Sequence, residues 1–295
     1  WTYRDVQRMA TNASGSVLLT YRREGGPLDP NARHELIAWD TATGKEIATL
    51  ATDVRIQSMA VSHDGKHARI AGRVKRDVVL RLIDVQAGAP RNEMPILEPW
   101  GGAGFAADSK TAWCLCPKEG VRIIQPATGN AVLWNGVDIN SYAATFSTKL
   151  PVMSVKCNSS SGQWIDFYNL ASRQRLHRLQ PREPIGADTL SPDGRLIALG
   201  FRRRIDAYDT RDWSIRHTLT RTGYANAPER LLISPDGRWL VEIPFGADGA
   251  KPLIYGLGSD RVEKTDAAAV DMVFLDDQTL LISVEGEPMK KVRLE

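Results

Sequence analysis

The sequence contains a run of three arginines, Arg202, Arg203 and Arg204. A guanidinium group is planar and permanently charged, so it can hold a carboxylate through two parallel hydrogen bonds. Arginine and aromatic side chains also carry much of the energy of protein interfaces, and Trp100 and Tyr224 stand in two other loop segments. We expect these five residues to form a face that binds a protein or peptide. The alternative is a solvated loop whose arginine stems cover apolar surface.

The three cysteines are a second group with possible chemistry. Cys114 and Cys116 alternate along one segment, so their side chains point to the same side if that segment is a strand. With Cys157 they would supply three ligands, whereas a structural zinc site takes four. We expect free buried thiols that act as small core residues, and neither a metal nor another cofactor.

The elements that carry these residues are marked by a recurring turn. Its full copies read Ser-Pro-Asp-Gly at 191–194 and 234–237 and Ser-His-Asp-Gly at 62–65. Asp accepts hydrogen bonds from the backbone just ahead of it and Gly adopts positive φ without a Cβ clash, so the motif closes a β-hairpin. Alignment of the flanking apolar segments gives seven anchors: Ser14, Asp64, Asp108, Lys149, Asp193, Asp236 and Asp277.

The spacing of the turn predicts the fold. Successive anchors are 41 to 50 residues apart, and a period of roughly 40–45 residues with four strands per unit is typical of a β-propeller blade. We predict an all-β, seven-bladed β-propeller of four-stranded antiparallel blades, forming one domain over residues 1–295. The blades are expected at 5–50, 54–97, 102–134, 141–179, 186–219, 229–264 and 269–295.

The third strand of the first unit carries the motif of a known repeat family. Residues 38–45 read Ala-Trp-Asp-Thr-Ala-Thr-Gly-Lys, which resembles the Trp-Asp ending and following turn of WD repeats. Other units keep its outline in Ile83-Asp84, Tyr168-Asn169 and Tyr208-Asp209. The sequence has no Gly-His dipeptide, so the hydrogen-bond network that WD repeats build on that histidine is missing in its usual form. The whole chain is similar to a divergent WD-like propeller, which implies a scaffold for protein contacts.

Three charged residues share one register of the repeat, at the start of the inner strand. Arg230, Asp271 and Arg8 belong to blades six, seven and one, which are neighbours in a closed ring. We therefore expect an Arg-Asp-Arg arc at the mouth of the central channel. Such an arc would tie the closing blades together by ion pairs, or it would bind a small anion or a peptide carboxylate.

Catalysis in the channel is the competing interpretation. At the next position along the inner strand, the blades have apolar residues except for blade five, which has Asp188. General acid–base catalysis needs a paired group or a metal, and the sequence shows neither a Gly-rich phosphate loop nor a Ser nucleophile elbow. We expect a non-catalytic interaction module. A lactonase-like channel hydrolase is the alternative, and a passive spacer between domains is a third possibility.

Composition narrows the class of partner. The net charge is only +3, and acidic and basic residues are mixed in every blade, which argues against a nucleic-acid groove. No run of 18 apolar residues occurs, so membrane insertion is not expected. Three cysteines form no disulfide framework, which favours a reducing compartment such as the cytoplasm. The sequence begins at Trp1 without a leader, so we expect the propeller to be part of a longer multidomain chain.

The seventh blade is expected to be incomplete. Residues 288–295 can supply only its third strand, and the segment equivalent to residues 46–50 would precede Trp1. We therefore predict three strands in this blade. Its exposed edge would invite pairing with another chain.

Overall fold

The computed structural model describes residues 6–25, 32–96, 102–106, 108–116, 119–138, 140–147, 149–221, 226–244, 251–259, 261–265 and 268–295. Within these ranges the chain forms strands and turns and no helix. The described part therefore also contains no helix of the length and apolarity that crossing a bilayer requires.

The strands form seven antiparallel sheets, each built from consecutive segments of the chain. The first three blades contain β1 (Val6–Thr11), β2 (Val17–Glu24), β3 (Arg33–Asp40) and β4 (Glu46–Ala51); β5 (Arg55–Val61), β6 (His67–Val74), β7 (Asp77–Asp84) and β8 (Ala89–Pro95); and β9 (Ala103–Phe105), β10 (Ala112–Cys116), β11 (Gly120–Ile124) and β12 (Ala131–Trp134).

The remaining blades continue the same order. They contain β13 (Ser141–Phe146), β14 (Val152–Ser159), β15 (Gly162–Asn169) and β16 (Gln174–Leu179); β17 (Ala187–Leu190), β18 (Leu196–Gly200), β19 (Arg204–Asp209) and β20 (Ile215–Thr220); β21 (Pro228–Ile233), β22 (Trp239–Pro244), β23 (Leu253–Gly256) and β24 (Val262–Lys264); and β25 (Asp271–Phe274), β26 (Thr279–Ser283) and β27 (Lys290–Arg293).

The first strand of each blade lines the centre of the ring. Inner strands of successive blades contact one another, and β1 also contacts β25, which brings the first and seventh blades together. Among the described residues the seventh blade has three strands and each of the others has four. The sequence-based fold class, including the three-stranded last blade, is therefore confirmed.

The recurring turn closes the inner hairpins in the way that its residue types predict. Asp64 accepts hydrogen bonds from the Ser62 hydroxyl at 2.7 Å and from the Lys66 backbone N–H at 3.1 Å. Ser62 Oγ in turn accepts from the His67 N–H at 2.9 Å. Gly65 has φ of +72°, a conformation that a side chain would disfavour. Asp193 and Asp236 accept the equivalent hydrogen bonds, so these three anchors have a structural role in the hairpin.

The turn of the seventh blade differs from the alignment. The sequence places its anchor at Asp277, whereas Asp276 accepts the backbone hydrogen bonds, from Gln278 at 2.8 Å and Thr279 at 2.6 Å. The reason is a shorter hairpin, because the Leu275 N–H already bonds to the Thr279 carbonyl. The carboxylate that caps the turn therefore moves back by one residue.

Four inner strands begin with the same irregularity. The pairing register shifts at Val6/Arg8 in blade one, Ile56/Ser58 in blade two, Ser141/Ala143 in blade four and Pro228/Arg230 in blade six. A β-bulge leaves one residue unpaired and re-aims its neighbours. The bulges lie in the register that the sequence assigns to the channel mouth.

Packing between blades forms the core. Between blades four and five, Ile165 and Phe167 of β15 pack with Ile197 and Leu199 of β18 and with Phe201. Phe201 is fully buried and immediately precedes the arginine run. The core therefore fixes where that run leaves β18.

Candidate functional site

The arginine run occupies the turn between β18 and β19 of blade five. Phe201 is buried at its start, Arg202 and Arg203 are exposed, and Arg204 is half-buried as the first residue of β19. Strands alternate in direction within a blade, so this turn shares a face with the β14–β15 turn and with the connection from β16 to β17. The Asp-Gly turns lie on the opposite face.

A buried arginine holds the backbone of this turn. Arg221 Nη1 donates hydrogen bonds to the carbonyl oxygens of Phe201 at 3.0 Å, Arg202 at 2.6 Å and Asn226 at 2.8 Å. The Arg221 N–H also donates to the Arg203 carbonyl at 3.0 Å. Three successive carbonyls of the turn thus bond to one residue. This fixes the backbone that carries the exposed residues Arg202 and Arg203.

Glu242 of β22 neutralises that buried arginine. Arg221 Nε lies 2.9 Å from Glu242 Oε1, and both side chains are completely shielded from solvent. The Tyr255 hydroxyl donates to the other carboxylate oxygen at 2.8 Å. Charge-assisted hydrogen bonds of this kind are about twice as strong as neutral ones. The turn of blade five is therefore anchored to the second and third strands of blade six.

Arg204 is used within the fold. Its Nε lies 2.8 Å from Asp206 Oδ2, and its Nη1 forms an ion pair with Glu183. The guanidinium carbon lies 4.8 Å from the centre of the Phe201 ring. The hydrogen bond to Asp206, followed by that to Glu183, raises the pKa of Arg204. Of the arginine run, Arg202 and Arg203 are the members directed outward.

A cavity of about 560 Å³ lies beside the turn, on the same face. It is lined by Asn158, Ser161, Gly162, Gln163, Gln180, Pro181, Arg182, Glu183 and Pro184. Glu183 joins the cavity to the arginine run through its ion pair with Arg204, whereas Arg182 is exposed. The cavity and the turn together present an excess of positive charge. Trp100 and Tyr224, the two aromatic residues assigned to this face, lie outside the described residues.

At the channel mouth the structure brings two of the three predicted charges together. Arg230 Nη1 forms an ion pair with Asp271 Oδ1, and its Nη2 lies 3.4 Å from the Met272 carbonyl. The Met9 backbone N–H of blade one also donates a hydrogen bond to Asp271 Oδ2, at 2.6 Å. Arg8 is exposed. Asp271 thus links blades six, seven and one. The contact from blade one is made by a backbone N–H, whereas the sequence predicts the side chain of Arg8.

Asp188 is also paired within the fold. Its Oδ1 lies 3.1 Å from Lys156 Nζ, and both side chains are more than nine-tenths buried. Lys156 also donates to the Gly186 carbonyl at 3.1 Å. This acid of the channel register therefore joins blades four and five as an ion pair.

The three cysteines are free and buried. Cys114 and Cys116 pack in the core between blades two and three, whereas Cys157 packs in the core between blades three and four. Within the described ranges, no three His, Cys, Asp or Glu side chains are grouped so that they could hold a metal ion.

The residues that position the turn were not predicted from the sequence. Arg221 lies outside the strand repeat, just after β20, so its register carries no signal. Glu242 does carry one, because it is the only charged residue of the otherwise apolar strand Trp239–Pro244. A fully buried carboxylate requires a cation, and an arginine in the neighbouring blade would have been the residue to search for.

Comparison with known proteins supports the fold and gives no family or function. No family model matches the chain, and no curated protein matches it. Among solved structures, hydrazine synthase from Kuenenia stuttgartiensis is similar, with a TM-score of 0.73 and 14% sequence identity over 98% of this chain and 95% of that chain. At this identity the similarity shows a shared fold, and it supports the seven-bladed β-propeller.

Proposed function

We propose that the chain is a non-catalytic, WD-like interaction module that binds an acidic segment of a protein or peptide on the face carrying Arg202 and Arg203. The observation that carries the proposal is an exposed pair of arginines on a turn whose backbone is held by the buried Arg221.

The fixed backbone favours binding for an entropic reason. Ordering a flexible side chain at an interface costs roughly 0.5–1.5 kcal/mol, and ordering a loop adds to that cost. Hydrogen bonds from Arg221 to the carbonyls of Phe201 and Arg202 order the turn before any partner arrives. Binding at Arg202 and Arg203 therefore does not require the backbone of the turn to be ordered first.

Charge indicates what the partner should carry. Glu183, the acid that lines the adjacent cavity, already pairs with Arg204. Arg182, next to it in the chain, and Arg202 and Arg203, next to Arg204, are exposed. Guanidinium groups hold carboxylates through paired hydrogen bonds, so a peptide with Asp or Glu side chains is the complementary ligand.

A channel enzyme is the competing class of function. A solved structure that shares the fold is named as hydrazine synthase, an enzyme. A lactonase-like mechanism would need free carboxylates around a cation in the channel. The two channel acids Asp188 and Asp271 instead form ion pairs with Lys156 and Arg230. Both acids are thus engaged in joining blades, which favours the interaction module.

The test selects random peptides displayed on phage against the immobilised protein, and titrates a selected peptide by fluorescence anisotropy. The diagnostic variant is Arg202→Glu with Arg203→Glu. The matched control is Lys66→Glu with Lys149→Glu, which makes the same charge change at two exposed residues in turns of the opposite face.

We expect selected peptides rich in Asp and Glu, binding weakened by about tenfold or more in the arginine variant, and unchanged binding in the control. Equal binding by the two variants would place the site elsewhere and contradict the proposal. Turnover of a panel of lactones that depends on added Ca²⁺ would instead support the enzyme.

A further inference from the structure

Arg69 is a charged side chain buried in the core between blades two and three. It lies on β6 and is 1% exposed. Its guanidinium reaches Ser58 Oγ at 2.8 Å and Cys114 Sγ at 3.9 Å, and its Nε has no hydrogen-bond partner. The remaining neighbours in this core include apolar side chains such as Leu80 and Leu82.

Arg69 differs in its partners from the other buried charges. In the described part of the chain, every other buried ionic side chain pairs with one of opposite charge; these are Lys156, Asp166, Asp206, Asp209, Arg221, Glu242 and Asp271. No carboxylate pairs with Arg69 in the same residues. A buried charge without a counter-charge costs several kcal/mol, and an arginine does not lose its proton at neutral pH.

We propose that the sulfur of Cys114 is a thiolate and serves as the counter-ion of Arg69, forming a buried thiolate–guanidinium pair that joins blades two and three. Cys114 is the acidic group in contact with the guanidinium, and it is fully buried on β10 of the next blade. The alternative is a neutral thiol that donates to the Leu115 carbonyl, 3.7 Å from its sulfur. That arrangement would leave Arg69 without a negative partner.

The surroundings favour the ionised sulfur. The neighbouring Cys116 thiol, together with the charge of Arg69, lowers the pKa of Cys114 to about 6, against the opposing effect of burial. The proximity of Cys114, followed by burial, raises the pKa of Cys116, which therefore keeps its proton; its thiol lies 3.9 Å from the Cys114 carbonyl oxygen as a donor. Arg122 on the adjacent strand adds positive charge, partly offset by its ion pair with Glu119.

The ion pair makes the joint between the two blades sensitive to pH. An acid whose pKa is lower in the folded than in the unfolded chain stabilises the fold above its unfolded value, and this contribution is lost as the pH falls to the folded value. For Cys114 that window extends from about pH 9 down to about pH 6. Cys157 has its pKa raised to about 12, chiefly by burial, and serves as the control thiol.

The first measurement is the ultraviolet absorbance of thiolate in the folded full chain, titrated from about pH 5 to about pH 9. We expect the equivalent of a single thiolate at neutral pH. The signal should be lost in Cys114→Ser and kept in Cys157→Ser. Absence of thiolate in the parent protein at neutral pH, or its survival in Cys114→Ser, would overturn the proposal.

The second measurement separates the ion pair from burial. Arg69→Met keeps the apolar stem and removes the charge, so the midpoint of the thiolate titration should rise by at least one pH unit, about tenfold in the ionisation constant. An unchanged midpoint would show that Arg69 does not stabilise the thiolate. If this variant fails to fold, the Cys114→Ser and Cys157→Ser pair still decides whether Cys114 is ionised.

Discussion

Arg221 and Glu242 form an ion pair with no solvent exposure on either side chain, and the rest of the Arg221 guanidinium binds the backbone of an exposed turn. The carbonyls of Phe201 and Arg202 accept from Nη1 at 3.0 and 2.6 Å. A carboxylate inside blade six therefore determines how a surface turn of blade five is held. Stability and the proposed binding face are coupled at this pair.

We predict that Glu242→Gln destabilises the protein by about 3–5 kcal/mol, because it leaves the guanidinium of Arg221 buried without a counter-charge. The measurement is the free energy of unfolding from urea denaturation. The control is Glu263→Gln, which breaks the exposed ion pair with Arg261. Exposed pairs contribute about 0–1 kcal/mol, so equal losses in the two variants would contradict a special role for the buried pair.

Asp271 should be the most sensitive member of the charges at the channel mouth. Its carboxylate is 1% exposed and accepts both from Arg230 and from the Met9 N–H. Asp271→Asn should therefore cost about 1–3 kcal/mol in unfolding free energy, because Arg230 and the Met9 N–H lose a charged acceptor. Arg8→Gln replaces an exposed residue and should change stability by less than about 0.5 kcal/mol. A larger loss in Arg8→Gln would restore the predicted three-residue arc.

The ring of blades could be predicted from the sequence because it depends on short-range patterns. The turn at Asp64 is set by residue types that bond within five positions of one another, and the same pattern returns at a nearly fixed period. The pairing of Arg230 with Asp271 followed from the ring itself, since neighbouring blades share a register. The third partner did not follow, because the bulge at Val6/Arg8 changes the local register and a backbone N–H has no sequence signature.

The contacts that hold the proposed binding turn are not revealed by the repeat period. Arg221 contacts Phe201 and Glu242, which are 20 and 21 residues away in opposite directions along the chain. The sequence of the arginine run also does not show which of its three members is held inside the fold. Only the positions of Asp206 and Glu183 show that Arg204 is held inside the fold.

That distinction gives a prediction for the triplet. Arg204→Gln should lower the free energy of unfolding by about 1–2 kcal/mol, because Asp206 is nearly fully buried and loses a charged partner while keeping its hydrogen bond from Thr218. Arg203→Gln should change it by less than about 0.5 kcal/mol, since the side chain is exposed. Urea denaturation of both variants provides the check, and a reversed order would mean that Arg203 is the structural residue.

Two glycines with the same backbone conformation should respond differently to alanine. Gly15 and Gly44 have φ of +67° and +71°, so alanine at either position costs about 1–2 kcal/mol of backbone strain. At Gly15 the added Cβ would also lie 1.5 Å from the Leu275 carbonyl oxygen, whereas at Gly44 nothing lies within 4 Å. Because Leu275 belongs to the seventh blade, Gly15→Ala would push the first and last blades apart.

We expect a loss above about 4 kcal/mol in unfolding free energy, or failure to fold, for Gly15→Ala, and only the cost of backbone strain for Gly44→Ala. Similar unfolding free energies for the two variants would mean that the first and seventh blades are not packed this closely.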